Sequence, residues 1–133
     1  SPGFVVIRYE SVNDARVIPL QDLPRPTDAV RHYLGVARGH WEGDTLVVTT
    51  EHFGEYTLVD DLVPHGDQMK LTERIRLKDA DTLEDRITIE DSEYFARPWE
   101  TVVTYKRQPD EAFPEDVCLD RLEAGRPTLS SKK

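Results

Sequence analysis

The strict alternation of apolar and polar residues in two neighbouring segments constrains the fold most strongly. In residues 71–78 (LTERIRLK), the odd positions hold Leu, Glu, Ile and Leu, whereas the even positions hold Thr, Arg, Arg and Lys. Residues 82–91 (TLEDRITIED) alternate in the same way, and Asp79-Ala80-Asp81 separates the two segments. Because alternation of period two is typical of strands with one buried face, the pattern predicts an antiparallel hairpin.

The rest of the chain up to residue 108 holds further segments that are rich in β-branched and aromatic residues and bounded by turn formers. The strands predicted from them cover 3–10, 14–20, 36–42, 45–51 and 100–108. Gly43-Asp44 predicts a two-residue hairpin turn. That turn pairs Trp41 with Leu46 and sends His40 to the opposite face.

The hydrophobic period changes once between these strands. Residues 27–35 predict one short helix of about two turns, with Thr27 as its N-cap and Gly35 at its end. Residues 54–67 have no regular period and contain glycine and proline, so they are expected to form a long loop. Loops of this length often cover a cavity, so this one is a candidate lid.

Six or seven short strands and one helix predict an all-β, antiparallel fold. A meander barrel, lipocalin-like in outline, would remove exposed sheet edges and enclose an interior, and a two-sheet β-sandwich is the alternative architecture. At 133 residues the chain is expected to hold one domain, over residues 1–108. Residues 109–133 are acidic and weakly patterned, and they predict a tail that packs on the barrel or extends from it.

Composition and charge exclude several classes of function. The net charge is −9, which argues against binding to nucleic acids or anionic membrane surfaces, and no apolar run is long enough to span a membrane. Cys118 is the single cysteine, which excludes an intrachain disulfide and a Cys-based metal site. No metal site or cofactor is expected, because no metal-binding motif is formed by His32, His40, His52 and His65.

Several of these segments together resemble a known family. The stretches ARVIPL, RGHWEGDTLVV, LTERIRLKDADTLE, ITIED and RPW are similar to a block of motifs in a widespread family of bacterial proteins of unknown function. The resemblance spans roughly residues 4 to 108 and is specific because the motifs occur together. It implies the same strands and a periplasmic or secreted location, whereas a cytoplasmic location stays open because no signal peptide is visible. The Cys-His-Glu-Gly-Asn motif that closes family members stands here as Cys118-Leu119-Asp120, and the resemblance implies no mechanism.

Two carboxylates, Glu73 and Asp85, fall on the apolar parity of the predicted hairpin. A three-residue turn over 79–81 would place them diagonally on one face, with Cβ atoms roughly 6–8 Å apart. Desolvation and repulsion are expected to raise the pKa of at least one carboxyl, giving a neutral acid beside a charged base. The two residues are therefore the predicted catalytic pair, and Glu73→Gln or Asp85→Asn is expected to leave the fold intact or more stable. In the alternative, Glu73 and Asp85 lie near the barrel mouth, where they are solvated or ion-paired, one of them with Arg16 or Arg8.

Aromatic and basic side chains complete the predicted site. The residues expected to line the substrate cavity are Tyr9, Arg16, Trp41, Trp99 and Tyr105. The aromatic members could equally be core or rim residues, and Trp41 is expected to anchor the core of its hairpin. The sequence thus predicts a cofactor-independent acid/base enzyme of the isomerase, lyase, cyclase or epoxide-opening type, acting on a small, largely apolar or amphipathic molecule. A non-catalytic carrier of hydrophobic ligands and an accessory docking domain are the alternatives, and a homodimer stays open.

Overall fold

A computed structural model describes residues 3–9, 14–20, 30–57, 59, 63–110 and 125 of the chain. These residues form seven β-strands: β1 (Phe4–Arg8), β2 (Ala15–Pro19), β3 (Val36–Glu42), β4 (Thr45–Glu51), β5 (Lys70–Asp79), β6 (Thr82–Glu90) and β7 (Trp99–Lys106). The described part of the chain contains no helix, and therefore none that is long and apolar enough to cross a membrane. The prediction of an all-β, antiparallel fold is confirmed.

The strands form two sheets rather than one. β1 and β2 make a two-stranded antiparallel sheet, and β3 to β7 follow one another in a five-stranded antiparallel meander. Within the described residues β3 and β7 do not pair with each other, so the larger sheet stays open and no closed barrel is found. Two antiparallel sheets are consistent with the sandwich that the sequence left as the alternative.

The two faces of the five-stranded sheet differ in what they carry. We call the side that carries Val48, Glu73 and Ile87 the inner face; these three residues are neighbours across β4, β5 and β6. The opposite side is the outer face, and it carries Arg38, Thr49 and Thr72 in an equivalent row. The β1–β2 hairpin packs on the inner face, where Ile18 forms a buried cluster with Leu46 and Val48. A second buried cluster consists of Phe53, Met69 and Ile89.

The β5–β6 hairpin has the register that the alternation predicts. Leu77 pairs with Leu83 and Ile75 pairs with Asp85, so the apolar positions of both strands share the inner face. A bulge follows Leu77 and brings Asp79 opposite Thr82. The Asp79 carboxylate accepts a hydrogen bond from the Asp81 backbone N–H at 2.9 Å, which holds the turn.

The predicted helix over 27–35 is wrong for the part that the structure describes. Residues 30–35 contain a single hydrogen-bonded turn but no helix, and His32 forms an isolated parallel bridge with Phe53. The His32 N–H donates to the His52 carbonyl at 3.0 Å, and the His32 carbonyl accepts from Gly54 N–H at 2.7 Å. The His32 carbonyl also accepts from Gly35 N–H at 2.9 Å, which closes one turn, and no run of helical bonds follows within residues 30–35. Thr27, the predicted N-cap, lies outside the described residues.

Other predictions also fall partly outside the described residues. The predicted loop over 54–67 contains no strand in its described part, and residues 58 and 60–62 lie outside it. Of the predicted tail, the structure describes residues 109, 110 and 125. Cys118 lies outside the described residues as well. The division of the chain into a domain and a tail therefore stays a prediction.

Candidate functional site

Glu73 and Asp85 lie on the inner face of the sheet, on neighbouring strands. Glu73 stands opposite Ile87, and Asp85 stands opposite Ile75, so the two carboxylates are diagonal neighbours on one face. Glu73 is 4% exposed and Asp85 is 6% exposed. Both side chains are thus buried, as their position on the apolar parity predicts.

Glu73 is bound by Arg16, which comes from the covering hairpin. Both terminal nitrogens of the guanidinium donate to the carboxylate, and the bond from Nη1 to Oε1 measures 2.8 Å. Arg16 also donates to the hydroxyl of Tyr9 at 3.3 Å and to that of Thr50 at 3.4 Å. The hydrogen bonds that Arg16 donates to Glu73 raise the pKa of the guanidinium above its ordinary value, so Arg16 stays positively charged at physiological pH.

This ion pair changes one expectation for the predicted catalytic pair. In the alternative prediction, one of the two carboxylates is ion-paired with Arg16 or Arg8. The two-point bond between Arg16 and Glu73 is such an ion pair. Glu73→Gln would leave a largely buried guanidinium without its carboxylate, and such a change is destabilising. The expectation of an unchanged or stabilised fold therefore applies to Asp85→Asn and no longer to Glu73→Gln.

Asp85 has no such partner. Burial raises the pKa of its carboxyl from 3.8 to about 6, and the negative charge of Glu73 adds to the rise while Arg16 opposes it. The Oδ1 atom is buried and has no hydrogen-bond partner among the described residues. A carboxyl in this environment holds a proton to a higher pH than an exposed aspartate, and it has an oxygen with which to exchange one.

Tyr105 lies near Asp85 on the same face. It pairs with Leu83 across β6 and β7, two residues along the strand from Asp85. Partial burial, together with the negative charge of Asp85, raises the pKa of the Tyr105 phenol above its ordinary value. The phenol is therefore neutral near pH 7 and can donate a hydrogen bond.

The two tryptophans do not join this group. Trp41 pairs with Leu46 as predicted, yet its side chain is 56% exposed, and Trp99 is 49% exposed. They lie on β3 and β7, the two edge strands, with three strands between them. The prediction of Trp41 as a core anchor is wrong, because the side chain lies at the turn end of β3 and is more than half exposed, whereas the β1–β2 hairpin packs on this strand at Gly39. Both tryptophans stay predicted substrate-binding residues, and the structure does not bring them together.

An open cleft of about 430 Å³ lies beside the ion pair. The lining includes Tyr9, Arg16, Thr50, Phe53 and Leu71. Two of the predicted substrate-binding residues, Tyr9 and Arg16, are thus brought together there. Thr50 and Leu71 were not predicted, although both stand on the inner parity of β4 and β5 and the same alternation could have identified them. Phe53 follows β4 in an irregular segment, and no periodic signal marks it.

The described residues contain no group of three or more His, Cys, Asp or Glu side chains that could hold a metal ion. Comparisons with known proteins add no functional information. No protein-family profile matches the chain, and no curated protein or solved structure matches it at a significant level. The resemblance to the bacterial family therefore stays a prediction, and function is inferred here from the arrangement of the side chains.

Proposed function

We propose that the protein is a small-molecule enzyme that moves a proton without a cofactor, with Asp85 as the group that gives or takes it. The observation that supports this is the buried Asp85 carboxyl, whose pKa is raised to about 6 and whose Oδ1 has no partner among the described residues. General acids and bases work best when their pKa lies near the working pH. Isomerisation, elimination, cyclisation and epoxide opening all need such a group.

Glu73 supplies the fixed charge in this proposal. Its ion pair with Arg16 keeps a negative charge beside Asp85, and that charge favours the protonated form of Asp85. The two carboxyls then take different roles, because one is held by a guanidinium and the other is not. Protonated Asp85 serves as the acid, and after transfer it serves as the base that recovers the proton.

The cleft fits a largely apolar substrate with one polar group. Phe53 and Leu71 supply apolar surface, while the Tyr9 hydroxyl supplies a hydrogen-bond donor and the Arg16 guanidinium supplies a positive charge. Because Arg16 both lines the cleft and binds Glu73, a ligand in the cleft contacts the charged group next to the acid pair. Pockets that combine apolar walls with a few converging polar groups are typical of small-molecule sites.

A non-catalytic carrier is the second candidate. The cleft is lined by Arg16 and Tyr9 rather than by Glu73 or Asp85 themselves. A ligand could therefore be bound by the guanidinium and the apolar walls without contact with the acid that would act on it. For the fold and the location, we propose a sandwich-like packing of the β1–β2 hairpin on the larger sheet and, from the family resemblance, a periplasmic or secreted protein.

The decisive experiment has two stages. A carbon-13 NMR titration of the side-chain carboxyls is expected to show Asp85 with a pKa of about 6. Small apolar and amphipathic compounds found to bind the protein are then incubated with it in D₂O, and mass spectrometry measures deuterium incorporation or rearrangement. The wild type is expected to exchange or convert a bound compound, and Asp85→Asn is expected to bind it without converting it.

Glu84→Gln is the matched control for Asp85→Asn. Glu84 is the preceding residue, it is also buried, and it points to the outer face, where it binds Arg76. This variant is expected to keep the activity. A titration that places Asp85 near pH 4 would overturn the proposal, and binding in which wild type and Asp85→Asn both return the compound unchanged would identify a carrier.

A further inference from the structure

A second cavity lies on the outer face of the five-stranded sheet, away from the acid pair. Its volume is about 320 Å³, and its polar lining comprises Arg38, His40, Thr49, Glu51, His52 and Lys70. Arg38 stands on β3 directly opposite Thr49 of β4, and Lys70 begins β5. Cationic and hydroxyl donors from three strands therefore surround one space.

Arg38 is the residue that points to a ligand. Its Nη1 is buried and has no hydrogen-bond partner among the residues that the structure describes. Lys70 pairs with Glu90 at 3.6 Å, and His40 Nε2 lies 3.1 Å from Glu42 Oε1, so both neighbouring side chains have an acceptor in the protein. A buried charged donor without an acceptor is unfavourable and rare, which indicates that something else supplies the acceptor.

The charge balance of this cavity contrasts with that of the whole chain. Arg38 and Lys70 oppose the single carboxylate of Glu51 in the lining, whereas the chain carries a net charge of −9. Glu51 and His52 each have an interaction partner in the protein. The buried donor in this lining that has no acceptor among the described residues is Nη1 of Arg38. A long polyanion would meet the acidic remainder of the surface, but a small anion would not.

We propose that this outer-face cavity binds the phosphate group of a small molecule, with Arg38 as its principal contact. The Thr49 hydroxyl and the Lys70 ammonium, which carries three N–H groups, offer further donors from two other strands, which suits a tetrahedral oxyanion. A carboxylate is planar and is satisfied by two coplanar bonds to a guanidinium. Because Thr49 and Thr72 point away from the inner face, this site is independent of Asp85 and of the cleft beside Arg16.

Isothermal titration with inorganic phosphate at constant ionic strength tests the proposal. The wild type is expected to bind saturably, and Arg38→Gln is expected to weaken binding by about tenfold or more, since it removes a charge-assisted hydrogen bond. Arg86→Gln is the matched control: Arg86 is exposed on the outer face of β6, it lies outside the cavity, and its replacement changes the net charge equally. It is expected to bind phosphate nearly as the wild type does.

Two controls complete the test. Arg38→Gln removes a buried donor that lacks an acceptor, so it is expected to fold at least as stably as the wild type, which circular dichroism on heating checks. Asp85→Asn is expected to bind phosphate as the wild type does. The phosphate result therefore does not depend on whether the proposed function of Asp85 is correct. Absence of saturable binding would overturn the inference. So would equal losses in Arg38→Gln and Arg86→Gln, and tighter binding of acetate than of phosphate would assign the cavity to carboxylates instead.

Discussion

Arg16 of β2 and Glu73 of β5 form a two-point ion pair that joins the two sheets. The Arg16 side chain is 12% exposed and the Glu73 side chain is 6% exposed, so water screens the pair little. The same guanidinium holds the hydroxyls of Tyr9 and Thr50 and lines the cleft. One side chain thereby links the packing of the sheets to the electrostatics of the proposed site.

The first prediction concerns the loss of Arg16. Arg16→Gln leaves the Glu73 carboxylate buried without its counterion, so the free energy of unfolding is expected to fall by about 3–5 kcal/mol. Urea unfolding followed by circular dichroism measures this change. The control is Arg74→Gln, because Arg74 pairs with Glu42 on the outer face with side chains 46% and 47% exposed. Because water and salt screen an exposed ion pair, this variant is expected to lose little stability.

A double variant separates loss of the pair from loss of packing. In Arg16→Met with Glu73→Met, both charges are removed together and neither is left unpaired in the interior. Its stability is expected to recover most of what Arg16→Gln loses. A double variant as unstable as Arg16→Gln would show that the aliphatic contacts of Arg16, and not the ion pair, hold the sheets together.

The second prediction is a pH dependence from Asp85. Its pKa is about 6 in the folded protein and 3.8 in the unfolded reference, so the folded state binds more protons between these values. Stability is therefore expected to fall as pH rises from about 4 to about 6, by up to about 3 kcal/mol from this group. Asp85→Asn removes this contribution to the pH dependence. Urea unfolding is expected to show that the variant is more stable than the wild type at pH 7 but not at pH 4.

Asp79 provides a control of opposite sign. Its carboxylate accepts hydrogen bonds in the β5–β6 turn, chiefly from the Asp81 N–H, and these lower its pKa. Asp79→Asn is thus expected to reduce stability at neutral pH and to matter less in acid. If Asp85→Asn behaved in the same direction as Asp79→Asn, the buried neutral acid on which the proposed function rests would be excluded.

Sequence alone predicted those features that depend on neighbours along the chain. The alternation in β5 and β6 determines which side chains share a face, and it correctly predicted that Glu73 and Asp85 are buried. The Gly43-Asp44 turn likewise fixed the pairing of Trp41 with Leu46. Turn length and side-chain period are local properties, so a single sequence carries them.

The features that sequence missed depend on contacts between distant segments. Arg16 and Glu73 are 57 positions apart, and no period relates them. Trp41 has the parity of a core residue but lies on an edge strand, where burial depends on what covers the sheet. His32 has a helical context in sequence, yet its backbone bonds to the segment after β4. In each case tertiary packing overrides the local preference.

The third prediction concerns the close approach of the hairpin to β3 at Gly39. A Cβ added there would lie 2.8 Å from Ile18 Cγ2 and 3.1 Å from Leu20 Cδ2. Gly39→Ala is therefore expected to force the two sheets apart locally and to lower the free energy of unfolding by about 1–3 kcal/mol. Chemical denaturation measures the loss, and unchanged stability would mean that the β1–β2 hairpin does not pack closely on this strand.

The fourth prediction tests the same interface from the other side. Ile18 is fully buried against Leu46 and Val48, whereas its neighbour Val17 is 56% exposed on the other side of β2. Ile18→Ala is expected to cost about 2–5 kcal/mol, because it leaves a cavity between the sheets. Val17→Ala, the matched control one residue away, is expected to change stability by about 0.5 kcal/mol or less.

Combining the two interface changes gives the sharpest result. The methyl group introduced by Gly39→Ala points at Ile18, so it would enter the space that Ile18→Ala vacates. The double variant is therefore expected to lose less stability than the sum of the two single losses, by about 0.5–3 kcal/mol, as residues in contact do. Simple additivity in urea unfolding would place Gly39 and Ile18 apart and would contradict the packing of the β1–β2 hairpin on the inner face, which is the arrangement that brings Arg16 to Glu73.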